Sequence, residues 1–247
     1  MKITHKSVQL PDSIGNLVNL EVLSVRNNKL VALPSSVSNL TRLEILDLQH
    51  NALTALPDLG SLVGLKTLDV QFNQLQSLPS SLVKLQSLQH LHLKYNHLTE
   101  LLDDIGKLTR LEELDLEGNR LTSLPNSLAK LTNLKKLYIS RNLLTKLPSC
   151  LEKLTSIEEL FANGNFLSEC SEVTSLIKLR TLNLSSNQIT HLPKKLKYLS
   201  LLRDLDVSSN NLSSIDSLSP FRDLVALQVL NLSGNYLTKL PAEIGNL

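Results

Sequence analysis

The sequence predicts an α/β solenoid whose short parallel strands stack into one curved sheet. Three observations carry this. An asparagine recurs in one register at Asn28, Asn51, Asn73, Asn96, Asn119, Asn142, Asn165, Asn187, Asn210 and Asn235, at steps of 22 to 25 residues. Apolar residues, mostly leucine, hold fixed places around each, in the frame L-x-x-L-x-L-x-x-N-x-L-x-x-L-P-x-x-I/L-x-x-L. Eight of the nine prolines also fit the frame, Pro220 being the exception. A fixed period of this length marks a stack of repeated units.

The stretch Leu111–Asn133, LEELDLEGNRLTSLPNSLAKLTN, shows the unit most plainly. In its first places the apolar residues alternate around Leu114 and Leu116, which reads as a short strand with one face buried. One such strand buries too little to stand alone, so stacked copies must merge their leucines into a continuous core. The chain then turns away from the sheet and leaves backbone groups without ladder partners, which is costly if they are buried. An amide side chain both donates and accepts, so an Asn column at place nine can satisfy those groups between neighbouring coils. Proline at place fifteen fixes φ and lacks an N–H, which suits the start of a short convex turn or helix. The pattern is the leucine-rich-repeat signature. It predicts a horseshoe with a concave parallel β-sheet and a convex side of short helices, 3-10 turns and loops.

Residues 1–247 read as a single domain of ten repeats, starting at Leu20, Leu43, Leu65, Leu88, Leu111, Leu134, Ile157, Leu179, Leu202 and Leu227. A half-repeat, residues 1–19, precedes them, with Leu10, Pro11, Ile14 and Leu17 as the back half of a unit. Three units depart from the frame: Leu102 replaces proline in repeat four, Cys170 and Ser171 replace Leu-Pro in repeat seven, and repeat nine has 25 residues. Each irregular convex segment reads as drift in the repeat or as a binding loop. Neither end shows the polar closing face that terminal repeats need. The chain is therefore expected to be a fragment of a longer array, with end-to-end self-association as a consequence. The alternative is that the half-repeat caps one end and a partner or second copy covers the other.

Composition excludes several classes of function. The 25 basic residues nearly balance the 23 acidic ones, which argues against a nucleic-acid surface. The start, MKITHKSVQL, lacks the apolar core of a signal peptide, and no run is long enough for a membrane span. The two cysteines, Cys150 and Cys170, form no CxxC pair, which favours a reducing, cytoplasmic setting. No P-loop, GxGxxG, GxSxG or HExxH motif occurs, so no enzyme activity and no cofactor are expected.

The 23-residue period and the Leu-Pro ending resemble the intracellular, Ras-associated class of leucine-rich repeats. That class includes Shoc-type scaffolds, the Ras suppressor protein and plant intracellular Ras-group proteins. The 22-residue repeats two and seven are also similar to units of a phosphatase-regulating class. The resemblance implies a scaffold or adaptor in signal transduction, with a small GTPase or a phosphatase complex as the kind of partner. Similar arrays also serve kinases, ubiquitin ligases and immune receptors as recognition modules. The alternative reading is such a module, its effector domain lying outside this chain.

The candidate site follows from which places of the frame face away from the leucines. These are places three, five, seven and eight. In repeats eight to ten they hold mostly small polar residues. In repeats three to seven they hold Phe72, His90, His92, Lys94, Tyr95, Glu113, Asp115, Glu117, Lys136, Tyr138, Arg141, Glu159 and Phe161. Four of the chain's eight aromatic residues are among them, and protein interfaces concentrate aromatic residues and arginine at their centres. The competing reading is that Phe72 and Phe161 tuck against neighbouring rungs. His90 and His92 share one strand face near Glu113, Asp115 and Glu117, but a closed metal site needs fitting geometry, so no metal is expected. Basic and acidic repeats alternate along the face. It should therefore be charged yet locally neutral, which favours a protein partner over a polyanion.

Overall fold

The computed structural model describes residues 8–215, 220–221 and 223–240. Twelve short strands follow one another: β1 (Val8–Gln9), β2 (Val22–Ser24), β3 (Leu30–Ala32), β4 (Ile45–Asp47), β5 (Thr67–Asp69), β6 (His90–His92), β7 (Glu113–Asp115), β8 (Lys136–Tyr138), β9 (Glu159–Phe161), β10 (Thr181–Asn183), β11 (Asp204–Asp206) and β12 (Val229–Asn231). Ten of them form one parallel sheet in the order β2-β4-β5-β6-β7-β8-β9-β10-β11-β12. Each pairs with the next in perfect register, so Leu91, Leu114, Leu137 and Leu160 stand in one column. That column is fully buried. Burying each such leucine contributes about 1.5–3 kcal/mol, and the repeats share a single core.

The connections on the opposite side are mostly 3-10 helices. Six begin directly after a proline: Pro11, Pro34, Pro79, Pro125, Pro148 and Pro193. Each of these prolines is extended, with φ between −66° and −71°. The ring presets that angle, and its missing N–H costs nothing at a helix start. Pro57 differs: only turns follow it before β5, in a repeat one residue shorter. Leu102 is not proline, and its helix shrinks to Ile105–Lys107. One pairing has no counterpart in the frame. β1 joins β3 in a small parallel pair apart from the main sheet. The expectations for residues 1–7 and 241–247, and for the centre of the irregular segment of repeat nine (216–219 and 222), lie outside the described residues.

The asparagine column bridges neighbouring coils. Asn119 Nδ2 donates to the carbonyls of Leu116 and, one coil back, of Leu93, both at 3.0 Å. Its Oδ1 accepts from the Leu98 N–H at 3.0 Å. Asn73, Asn96, Asn142, Asn165, Asn187 and Asn210 are likewise buried and bonded.

Candidate functional site

The strands span only places three to five of each repeat, so alternation along a strand cannot position place eight. There the backbone turns left-handed in every repeat. Non-glycine φ values lie between +50° and +57° at Asn27, His50, Phe72, Tyr95, Arg141, Ser186 and Ser209. Glycine fills the same place at Gly118, Gly164 and Gly234. Phe72, Tyr95 and Arg141 are therefore turned outward by the left-handed kink and not by strand alternation. The kink costs an L-residue about 1–2 kcal/mol. It still keeps the ladder, since the Tyr95 N–H donates to the Glu117 carbonyl at 2.7 Å.

Place eight forms a stacked row. His50 and Phe72 lie face to face, with centroids 4.2 Å apart and planes at 7°. Phe72 and Tyr95 follow at 4.9 Å and 27°. Phe72 thus packs on neighbouring rungs and remains 37 % exposed. The Tyr95 ring then lies over Gly118, where an added Cβ would stand 2.5 Å from the ring.

Place five carries the floor. Where it holds Asp or Asn, Oδ1 accepts the N–H of place seven at 2.9–3.3 Å, closing a local turn at Asp47, Asp69, Asp115, Asn183, Asp206 and Asn231. His92, Tyr138 and Phe161 occupy that place in repeats four, six and seven and do not close the turn this way. Their rings instead pave the hollow. Tyr138 and Phe161 are neighbours at 5.3 Å, and the Tyr138 hydroxyl donates to Glu159 at 2.8 Å. Burial and that carboxylate push the phenol far above its ordinary range.

The charges are bonded across rungs. Lys94 donates to Glu117 at 2.6 Å, and Arg141 approaches Glu117 at 3.8 Å. Lys136 sits 3.7 Å from Glu159 and 4.0 Å from Glu113. His92 lies between Asp69 at 3.7 Å and Glu113 at 3.1 Å. Burial alone would lower the imidazole pKa, but Asp69, Glu113 and Asp115 outweigh it and raise the value. Burial raises the Asp115 carboxyl. Asp69 is also subject to burial, yet its bonds to His92 and the Gln71 N–H bring it below the usual range. The face is not neutral. In repeats two to seven its outward places carry six carboxylates, Asp47, Asp69, Glu113, Asp115, Glu117 and Glu159, against Lys94, Lys136 and Arg141. The expectation of local neutrality overlooked Asp47 and Asp69, which resemble repeat consensus and announce nothing in the sequence.

A hollow of about 550 Å³ gathers His92, Lys94, Glu113, Asp115, Glu117, Tyr138, Arg141 and Phe161. Phe72, His90, Tyr95, Lys136 and Glu159 do not line it; Phe72 and Tyr95 belong to the stacked row, and the other three open their strands at place three. Gln71, Ser140, Asn163 and Asn183 also line it. The frame already puts them at the outward places five and seven; their polar side chains resemble filler, and the folded sheet brings them into the lining of the hollow. Among the described residues, no group of three or more His, Cys, Asp or Glu side chains is placed to hold a metal ion.

Three family models match the chain. The model "Leucine-rich repeat region" matches residues 87–168. A two-copy leucine-rich-repeat model matches 18–61 and 41–84, and a single-repeat model matches 178–199 and 226–247. No curated protein matches the sequence. Among solved structures, a leucine-rich-repeat protein of Leptospira interrogans is 37% identical with a TM-score of 0.93, over 97% of this chain and 61% of that one. The plant peptide hormone receptor RGFR1, in complex with RGF2, is 28% identical with a TM-score of 0.71, over 98% of this chain and 48% of that one. YopM from Yersinia enterocolitica is 28% identical with a TM-score of 0.69, over 91% and 49%. The chain thus spans between about half and three fifths of these relatives' lengths. The register of the asparagines, the ten-stranded parallel sheet and the matched models agree: the chain belongs to the leucine-rich-repeat proteins.

Proposed function

We propose that this protein is a non-enzymatic scaffold or adaptor that grips a folded partner protein on the concave face of repeats three to seven. The observation that carries the reading is the replacement at place five. Asp or Asn there closes a local turn, and repeats four, six and seven give up that bond for His92, Tyr138 and Phe161. These three rings are only half-buried in the fold, and a protein surface covering them would desolvate what remains exposed. The rim charges would set orientation and partner choice more than affinity. Leucine-rich-repeat folds generally mediate protein–protein contacts. A signalling role with a small GTPase or phosphatase complex rests on the resemblance of the Leu-Pro repeats. The free, buried Cys150 and Cys170 support a cytoplasmic setting. Among the described residues no helix is long and apolar enough to cross a membrane.

A second reading has an observation of its own. The likeness to the RGFR1 receptor extends over nearly the whole of this chain but only about half of that one. The chain would then be the recognition module of a larger protein.

The test is capture of partners from cell extract, followed by affinity measurement on the purified partner. Tyr138→Ala and Phe161→Ala should each weaken binding by at least about 2 kcal/mol, the hot-spot scale. Ser208→Ala and Ser233→Ala, in the bland repeats, should change it little. Equal losses from the serine changes, with all variants folded, would remove the site from this face.

A further inference from the structure

The concave face is acidic although the chain as a whole carries a formal charge of +2. Across repeats two to seven its three cationic side chains, Lys94, Lys136 and Arg141, each lie within ion-pair reach of a carboxylate of the same face, Glu113, Glu117 or Glu159. The place-five carboxylates differ. Among the described residues, Asp47, Asp69 and Asp115 form no ion pair with any lysine or arginine. The one cationic partner of Asp69 among the described residues is His92, its other bonds being to the Gln71 N–H and the Gln49 and Gln71 amides, and Asp115 accepts the Glu117 N–H. They lie on β4, β5 and β7, with His92 on the rung between the last two. Rungs stack about 4.8 Å apart. The result is a row of carboxylates along the floor, ending beside the Tyr138 and Phe161 rings. Burial raises the cost of leaving Asp115 charged without a counter-ion. A cation arriving there would meet an unpaired carboxylate and two aromatic rings, and aromatic faces attract ammonium and guanidinium groups.

Resting on the concave-face reading above, we propose that the partner presents a lysine- and arginine-bearing protein segment to the place-five row, seating one cationic side chain against Asp115 beside Tyr138 and Phe161. Lys94 and Arg141 oppose such a charge, but both are turned to Glu117. Their repulsion would disfavour any docking register that brings the partner's cations against them instead of Asp115.

The probe is a fluorescein-labelled peptide, (Gly-Arg-Gly-Lys)3, compared with its glutamate counterpart by fluorescence anisotropy at low salt. The basic peptide should bind and the acidic one should not. The double variant Asp69→Asn and Asp115→Asn should weaken it at least tenfold. Asparagine keeps the turn-closing acceptor, as Asn183 and Asn231 do at the same place. The convex pair Asp103→Asn and Asp104→Asn removes the same charge and should change affinity less than twofold. Carbodiimide coupling to the unmodified protein gives a second readout: peptide lysines should join to Asp69 or Asp115. Absence of basic-peptide binding, equal loss from the convex pair, or coupling confined to convex carboxylates would overturn the proposal. The two readings fail separately. A captured partner that needs Tyr138 and Phe161 but ignores Asp69→Asn and Asp115→Asn leaves the concave-face reading standing and defeats this one. A partner indifferent to both sets defeats both.

Discussion

Arg141 Nη1 donates to the Tyr95 hydroxyl at 3.0 Å, although the two residues lie 46 positions apart and a whole repeat stands between them. The contact passes over Gly118, whose missing side chain leaves room for the Tyr95 ring. Both end residues are held outward by left-handed backbone. One glycine therefore connects two of the side chains proposed to meet the partner.

Gly118→Ala should break this bridge. The new Cβ would stand 2.5 Å from the Tyr95 ring on a backbone with φ of +68°. Gly164→Ala meets similar strain, at φ of +67°, but its nearest neighbour is 3.4 Å away. The strain alone costs about 1–2 kcal/mol. Chemical denaturation should show the larger loss for Gly118→Ala, and equal losses would show that the Tyr95 contact is unimportant.

Asn119→Ala should lower stability by about 1–3 kcal/mol, because it leaves the buried Leu98 N–H without its acceptor and takes one of two amide donors from each of the Leu93 and Leu116 carbonyls, which keep only Asn96 and Asn142. Partner binding should survive wherever the variant is folded. An unchanged urea midpoint would contradict a structural role for the column.

His92 should make stability depend on pH. Its folded pKa is raised, so the protonated ring is bound more favourably in the native state. The contribution is full below the unfolded value of about 6.5 and is lost as pH rises through the folded value above it. The groups facing it are Asp69, Glu113 and Asp115, with His90 on its own strand. His92→Gln should flatten the pH dependence of the melting temperature in this window, while His90→Gln should retain it. A curve unchanged by His92→Gln would rule this out.

Native thiols should resist labelling. Burial pushes the Cys170 thiol up to about 12, with Glu172 and Glu169 adding to the shift, and it also raises Cys150. The thiolate is the reactive form, so neither cysteine should react with a disulfide reagent near pH 8 until the protein is denatured. Rapid labelling of the native protein would show that one of these segments opens.

Much of the site was legible before folding, because a strand three residues long allows few choices. Glu113 and Asp115 must flank buried Leu114, and Lys136 and Tyr138 must flank Leu137. Asp69 was harder to read. It matches the usual turn-closing residue, and its importance lies in forming no ion pair with a lysine or arginine among the described residues, a property of the neighbouring rungs. Place eight was harder still, since nothing in the letters Phe72 or Tyr95 announces a left-handed backbone. Only glycine at the same place in other repeats hints at it.

The repeat, the leucine core and the asparagine column follow from the order of residues alone, because each depends on contacts repeated at a fixed spacing. Tertiary structure alone decided which rings stack, which carboxylates find a cation, and how Tyr95 reaches Arg141. Those relations join side chains of different repeats, and their distances follow from how one coil settles on the next. Periodicity makes the coils alike, and the few unlike side chains acquire their neighbours only when the coils stack.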